Sequence, residues 1–332
     1  MEKQLAGYDI IGDIHGCATK LKALLAELGY QLDGAGVYRH PERTAVFVGD
    51  LIDRGEEQLD VLELVKAMVD AGSAKIVMGN HEFNAIAWAT ASPATGEPLR
   101  KHNDSNYKQH KDFLEQLSED RQAEFIAWFT TLPLWLDLGG VRVAHACWHQ
   151  GSIDVVVAAT EGSGRLSTVD NLVAATTRGT PLYDAVEILL KGPEISLVDH
   201  DMVAYFDHEA QKPREAARVR WWDHTAATLP DIAELRGAKL ENRDPYPSYE
   251  PREVSPKYLD YVYTDEVPLF YGHYWRKWDH HRDEWTTYTA CVDFSAVRGG
   301  TLVAYRWNGE AKVHWKNYVP HDPAVVAPMP SD

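Results

Sequence analysis

Five short segments end an apolar run in residues that can hold a cation or move a proton. They are Ile11-Gly12-Asp13-Ile14-His15-Gly16, Val48-Gly49-Asp50-Leu51-Ile52-Asp53-Arg54-Gly55, Met78-Gly79-Asn80-His81-Glu82, Val143-Ala144-His145 and Phe270-Tyr271-Gly272-His273. Asp, Asn and His together offer oxygen and imidazole ligands without thiolate. That mixture suits Mn²⁺, Fe or Zn²⁺ rather than a Cys-rich structural zinc site. Asp13 and His15, two apart, could hold one metal, and Asn80, His145 and His273 could share in two. Asp50 could bridge a pair roughly 3.5–4 Å apart. Asp53, Arg54 and His81 are left over beside the metals. An unliganded His with a carboxylate partner is what a general acid needs, and arginine offers a two-pronged fork for phosphate oxygens.

Such residues meet only if strands carry them to one edge. Tyr8 to Ile11, Thr44 to Val48 and Lys75 to Met78 read as strands. Between them Leu21, Leu24, Leu25 and Leu28 recur at helical spacing up to Gly29, and Leu59 to Met68 does the same up to Gly72. Phe83 to Ala91 begins another helix. Strand–helix alternation implies a parallel sheet whose strand C-termini are available for chemistry. Tyr107 to Thr131 reads as one amphipathic helix stopped by Pro133. Leu134 to Leu138 and Val141 to Ala144 flank Gly139-Gly140 as a hairpin, and Ser152 to Leu190 is helical with a loop near Gly162. In the last third Leu269–Tyr271, Thr286–Val292, Thr301–Trp307 and Ala311–Trp315 are strand-like, the last two joined by a tight turn at Asn308-Gly309. The Pro-rich, charged stretch 241–256 reads as a surface loop. No linker or repeat interrupts the 332 residues, so one domain over 1–332 is expected.

The charge balance is −17, with apolar residues at 45%. This is a globular composition, and the negative charge argues against duplex nucleic acid or anionic lipid as partners. The N-terminus shows no signal pattern and no apolar run reaches a membrane span. Cys17, Cys147 and Cys291 match no zinc or redox spacing, which suggests buried thiols in a cytoplasmic protein.

Taken in order, the segments read GDIHG, GDLIDRG, GNHE, VAHAC and FYGHYW, and the match spans residues 12 to 273. This series resembles the calcineurin-like metallophosphoesterases, whose pattern is GDxHG, GDxxDRG, GNHE, a strand-terminal His and GH. The Arg54 form of the second motif resembles the phosphoprotein phosphatase branch, which includes bacterial protein phosphatases and symmetrical diadenosine tetraphosphate hydrolases. The resemblance implies an α/β fold, a four-layer α/β/β/α sandwich with two mixed sheets. The N-terminal units would build one sheet and the C-terminal strands largely the other. It implies two divalent cations, with Mn²⁺ the first choice. Asp13, His15 and Asp50 would bind the first, closed by His273. Asp50, Asn80 and His145 would bind the second. His81 would be the acid paired to Asp53, Arg54 would hold the phosphate, and a metal-bridging hydroxide would attack. A second arginine is expected later in such sites, and Arg220 is favoured over Arg218, with ordinary surface arginines as the alternative.

The activity so implied is a phosphomonoesterase acting on phosphoprotein or small phosphoesters. A dinucleoside polyphosphate hydrolase is the alternative enzyme, and a non-catalytic metal-binding scaffold ranks last because Asp53, Arg54 and His81 all stand. Gly-His-Tyr-Trp replaces the common Gly-His-Thr, and Ala-Cys-Trp-His follows His145 in place of Gly-Gly-Leu, which points to a bacterial subgroup. The remaining histidines, His110, His149, His280 and His281 among them, read as surface or hydrogen-bonded bystanders. The aromatic run from Tyr271 to Tyr288 reads as core and strand packing, with a wall for a substrate's flat group as the sharper alternative.

Overall fold

The computed structural model describes residues 7–208, 211–278 and 285–321. The readings of the first six residues, His280 and His281 lie outside the described residues. The chain opens with β1 (Gly7–Ile11) and α1 (Ala18–Glu27), followed by the short pair β2 (Gln31–Leu32) and β3 (Tyr38–Arg39). Next come β4 (Arg43–Phe47), α2 (Gln58–Asp70), β5 (Ala74–Ile76) and α3 (Asn80–Ala89). Leu21, Leu24 and Leu25 of α1 and Val61, Leu62, Val65 and Met68 of α2 are buried on one helical face each. Gly29 (φ +86°) and Gly72 (φ +70°) end these helices in the left-handed region that a side chain would strain.

The expected single helix over 107–131 is two, α4 (Asp104–Gln116) and α5 (Glu119–Phe129). Leu117 and Ser118 turn extended between them, and Glu119 and Asp120 fill the first turn of α5. These are helix-start signals inside an apolar stripe that continues across the break. The hairpin β6 (Trp135–Asp137) and β7 (Arg142–Ala144) follows as expected. Then come α6 (Gln150–Ala159), α7 (Val169–Thr176) and α8 (Pro181–Lys191). The Thr180 side chain caps α8 by accepting from the Tyr183 amide, with Pro181 in its first turn.

Short strands β8 (Glu194–Ser196), β9 (Tyr205–Asp207), β10 (Lys212–Arg214) and β11 (Ala216–Arg218) form two small ladders. The one-turn helices α9 (Leu229–Ile232) and α10 (Pro256–Leu259) lie on either side of a stretch with few regular bonds. Residues 241–253 carry no helix or strand and are mostly exposed. The chain closes with β12 (Leu269–Tyr271), β13 (Thr289–Cys291), β14 (Val303–Trp307) and β15 (Tyr318–Pro320).

The structure is mixed α/β, with two mixed sheets that run β15-β14-β1-β4-β5 and β13-β12-β7-β6. The C-terminal strands are therefore divided between the sheets, against the expectation that they largely build the second. β14 pairs antiparallel along the free side of β1, Tyr8 opposite Trp307, and covers what would be an open edge. The expected strand 311–315 is also absent: β14 pairs with β15, Tyr305 opposite Tyr318. Glu310 explains this, because its carboxylate accepts from the Asn308 amide, the Asn317 side chain and the Tyr305 hydroxyl and holds the intervening segment out of the ladder.

Alternation along the strands sorts side chains into two cores. Ile10, Val46, Val143, Phe270, Ala290 and Tyr305 share one, with the Phe270 and Tyr305 rings 4.3 Å apart across the two sheets. Ile11, Phe47, Ala144, Tyr271 and Cys291 face the other way, into the helical core. Cys17, Cys147 and Cys291 are all free thiols. No helix among the described residues is long and apolar enough to cross a membrane.

Asp9, fully buried on β1, ties the larger sheet together. It accepts from Arg43 Nε at 3.0 Å, Arg306 Nε at 2.9 Å and the Tyr30 hydroxyl at 3.1 Å. Asp9→Ala leaves the buried Arg43 uncompensated, and urea unfolding is expected to show a loss of about 3–5 kcal/mol.

Candidate metal centre and active site

Every motif sits just past the C-terminal end of a strand. Asp13 and His15 follow β1, Asp50 to Arg54 follow β4, and Asn80 and His81 open α3 after β5. His145 follows β7 and His273 follows β12, neighbours in the second sheet. Backbone strain is concentrated here. His15 (φ 45°), Asp50 (φ 51°), Asp53 (φ 69°), Arg54 (φ 71°) and His273 (φ 68°) occupy the left-handed region without being glycine. Each such residue costs of order 1–3 kcal/mol and persists only where the surroundings hold it. The restraints are specific. Asp50 O accepts from the Ile14 and His15 amides, and Asp13 Oδ2 accepts from the His273 amide at 3.0 Å. Buried Glu82 accepts from the amides of Asp50, Leu51 and Gly79. A Cβ on Gly79 would stand 2.3 Å from Asp50 Oδ1, and one on Gly272 would stand 1.9 Å from Asp13 Oδ1. Both turns thus need glycine for the backbone to approach the carboxylates.

Asp50 is the centre of the cluster. Its Oδ2 lies 3.5 Å from His15 Nε2 and 3.9 Å from His81 Nε2, and its Oδ1 lies 3.5 Å from His145 Nε2. Asn80 Oδ1 is 3.0 Å from His145 Nε2 and 2.7 Å from His273 Nδ1. Two sets of ligand atoms result, His15–Asp50–His81 and Asp50–His145–His273, each within 4.8 Å of one another. The structure therefore places His273 with Asn80 and His145, rather than closing the set of Asp13 and His15. Its amide, not its ring, is what contacts Asp13.

The chemistry of these atoms suits a cation. His15 Nδ1 donates to Ile52 O and His145 Nδ1 to Val48 O, both at 2.8 Å. In the neutral rings this leaves both Nε2 lone pairs aimed at Asp50. His145 Nε2 and Asn80 Oδ1 then face one another as two acceptors. Asp13 Oδ1 and His273 Nε2 are buried with no hydrogen-bond partner. The charges agree. Burial, then Arg54, lowers His15 to about 3. Burial, then Arg218 and His145, holds His273 well below its usual value. Burial, then Asp293 and Asp50, drives Asp13 well up. Burial alone would raise Asp50, but four surrounding imidazoles, His145 foremost, override it and hold the carboxylate ionised. Carboxylates crowded together beside imidazole nitrogens are relieved by a bound cation.

Beside this cluster His81 Nδ1 meets Asp53 Oδ2 at 2.5 Å. Burial opposes charge on His81, yet Asp50 and the bond to Asp53 raise its pKa overall. Arg54 donates from Nη1 to His15 Nε2 at 2.7 Å and from Nη2 to His81 Nε2 at 3.1 Å. Since His15 Nε2 has one lone pair, ligation of a cation there requires Arg54 to release it.

Arg220 is not brought to the cluster. It donates to Asp223 Oδ2 at 2.9 Å and to the Asp231 carbonyl, and it lies 3.5 Å from Glu234. The nearer arginine is Arg218, whose guanidinium covers the Tyr274 ring at 4.9 Å beside His273. The two differ because β11 ends at Arg218, and Arg220 falls where Asp223 and Glu234 can capture it. Most of the nearby aromatic run is core packing: Tyr271 and Tyr274 are buried against Trp221 and Trp222. Trp275 stands apart at 46% exposed. His149 caps α6 and lies away from the cluster. Three residues close to the site are not singled out by the sequence: Glu82, His110 and Asp293. Glu82 stood inside GNHE and could have been noticed there; His110 and Asp293 carry no local signal.

Comparison with known proteins gives the arrangement a family. The model of the calcineurin-like phosphoesterases matches residues 8–274. The chain belongs to this family. Among curated relatives, a Bacillus subtilis protein named bis(5'-nucleosyl)-tetraphosphatase PrpE [asymmetrical] is 35% identical over 146 residues, 42% of this chain and 57% of that one. Its Oceanobacillus iheyensis namesake is 33% identical over 142 residues, 42% of this chain and 55% of that one. This calcineurin-like phosphoesterase therefore spans just over half the length of these relatives. A Saccharomyces cerevisiae serine/threonine phosphatase with similarity to human PP5 shares the fold, with a TM-score of 0.50 and 14% identity over 96% of this chain and 79% of that one.

Proposed function

We propose that the protein is a two-metal phosphomonoesterase acting on phosphoproteins or small phosphoesters. The observation that carries this reading is the convergence of Asp50 with His15 on one side and with His145, Asn80 and His273 on the other, next to the His81–Asp53 pair. Asp13, His15 and Asp50 would hold one divalent cation, and Asp50, Asn80, His145 and His273 the other. Mn²⁺ is the first choice for this oxygen and imidazole set, with Fe and Zn²⁺ also compatible. When bound, such cations supply Lewis acidity and lower the pKa of the attacking water.

The chain does the rest. Arg54 turns its two N–H prongs onto phosphoryl oxygens and stabilises the charge that grows there. With Arg54 turned onto the phosphate, His81 Nε2 is free to carry a proton, which it gives to the leaving oxygen as the P–O bond breaks. Asp53 accepts the Nδ1 hydrogen, which fixes the ring and favours its protonated form. Arg218 is the better candidate for the second phosphate contact. Both arginines together match a single phosphoryl group, while Arg220 and Arg276 are engaged by Glu234. A four-layer α/β/β/α stack, one domain over 1–332 and a cytoplasmic location belong to the same reading. The alternation of the strands into two cores supports the layers.

A second reading, hydrolysis of dinucleoside polyphosphates, is favoured by the printed activity of the Bacillus subtilis and Oceanobacillus iheyensis relatives. A non-catalytic scaffold has no comparable support, because Asp53, Arg54 and His81 are assembled. One panel separates the readings. With Mn²⁺ present, p-nitrophenyl phosphate and phosphoserine, phosphothreonine and phosphotyrosine peptides should release phosphate more efficiently than diadenosine tetraphosphate does. A clear preference for the dinucleotide in kcat/KM replaces the first reading by the second. Failure on every substrate by metal-loaded protein would revive the scaffold.

A further inference from the structure

Asp53 is held by two histidines. His81 takes one carboxylate oxygen, and His110 Nδ1 lies 2.8 Å from the other, Oδ1. His110 comes from α4, 57 residues along the chain from Asp53, and is 1% exposed. We propose that His110 is a positioning residue that clamps Asp53 and, through it, aims His81 at the leaving oxygen.

The environment of His110 makes this its only polar task among the described residues. Its ring stacks on Phe113 at 4.9 Å and meets the edge of Trp88 at 5.9 Å. With Phe113 and Leu117 it lies on the buried stripe of α4, where an apolar side chain would pack without stranding a polar atom. The imidazole does strand one, because Nε2 is buried with no partner. Asp53 accepts only, so Nδ1 carries the hydrogen and Nε2 keeps a lone pair, the cheaper atom to leave alone.

The same helix fastens the turn around Asp53. Asp112 accepts from the Arg54 amide at 3.2 Å, and Gln116 donates to Gly55 O at 2.9 Å. The Asp53 amide donates to Gln58 at 2.8 Å. Backbone bonds place the turn, but a carboxylate can still rotate about its own side-chain torsions. His110 removes that freedom. Its bond is also the foremost influence holding Asp53 at about 2 against the opposing effect of burial. His110 reaches neither substrate nor reacting atoms, so its effect must pass through Asp53 and His81.

The inference rests on the reading of His81 as the acid, and the experiment separates the two. Steady-state kinetics compare phenyl phosphate, whose leaving oxygen needs a proton, with 2,4-dinitrophenyl phosphate, whose leaving oxygen does not. Wild type, His110→Ala, His110→Asn, His81→Asn and the double variant His81→Asn/His110→Ala are measured, each with manganese content and thermal unfolding. His110→Ala should lower kcat on phenyl phosphate by about 10–100-fold, the range for partners that orient an active-site imidazole. KM and the dinitrophenyl rate should move far less. His110→Asn keeps an N–H near the same place and should recover most of the lost rate. In the His81→Asn background the alanine change should add no leaving-group dependence. Equal losses on both substrates, no rescue by Asn, or additive losses in the double variant would overturn the clamp while leaving His81 as the acid. Should His81→Asn itself show no leaving-group dependence, the reading of His81 fails and the clamp fails with it.

Discussion

Asp50→Asn is expected to abolish turnover and to release metal. Both carboxylate oxygens of Asp50 point into the cluster, one toward His15 and His81 and the other toward His145. The amide removes the negative charge shared by both proposed cation sites. It also turns an N–H₂ group toward imidazole lone pairs. Loss of Lewis-acid stabilisation worth several kcal/mol corresponds to a fall in rate of about 10³ or more. Asn adopts the left-handed region readily, and Glu82 still receives the amides of residues 50 and 51. The fold should therefore survive, and near-ultraviolet circular dichroism should match wild type. Elemental analysis that finds two full sites in Asp50→Asn would contradict the bridging role.

His81→Asn should behave differently. It removes the proposed proton donor, and kcat should fall by about 10²–10⁴ while metal stays bound. The loss should be greatest on substrates with poor leaving groups. The metal measurement matters because His81 Nε2 also lies within reach of the His15–Asp50 set. Loss of one cation from His81→Asn would make His81 a ligand and leave the Asp53 pair without its assigned task. Unchanged kcat would remove His81 from the chemistry altogether.

Much of the site was legible because its design is local. An apolar strand followed by Gly and then Asp, Asn or His marks a strand end carrying ligands, and parallel strands bring such ends together. Asp13, His15, Asp50, Asn80, His145 and His273 all lie where that logic puts them. What was missed depends on distance or on captured partners. His110 carries no motif, and its role appears only when α4 packs on the turn after β4. Arg220 and Arg218 share the spacing of an extended chain, and nothing in that spacing reveals that Asp223 and Glu234 claim Arg220. His273 was placed with the wrong partners because sequence order does not say which ring nitrogen faces which oxygen.

The fold shows the same division. Helix ends marked by Gly29 and Gly72 were readable, and the two-sheet α/β class followed from the strand and helix rhythm. The split of the C-terminal strands was not, since an apolar strand such as β14 fits either sheet until its edge partner is known. The Asn308-Gly309 turn is present with Gly309 at φ +95°, but Glu310 redirects the chain after it. A turn signal fixes a bend, not the identity of the strand that follows.

The central claim is that hydrolysis depends on a pair of cations held around Asp50. Its most direct test is a manganese titration of metal-stripped wild-type protein, with bound metal and p-nitrophenyl phosphate turnover read in parallel. The account predicts no turnover in the stripped protein and full turnover when two equivalents are bound. Undiminished turnover in protein shown to be free of metal would contradict it.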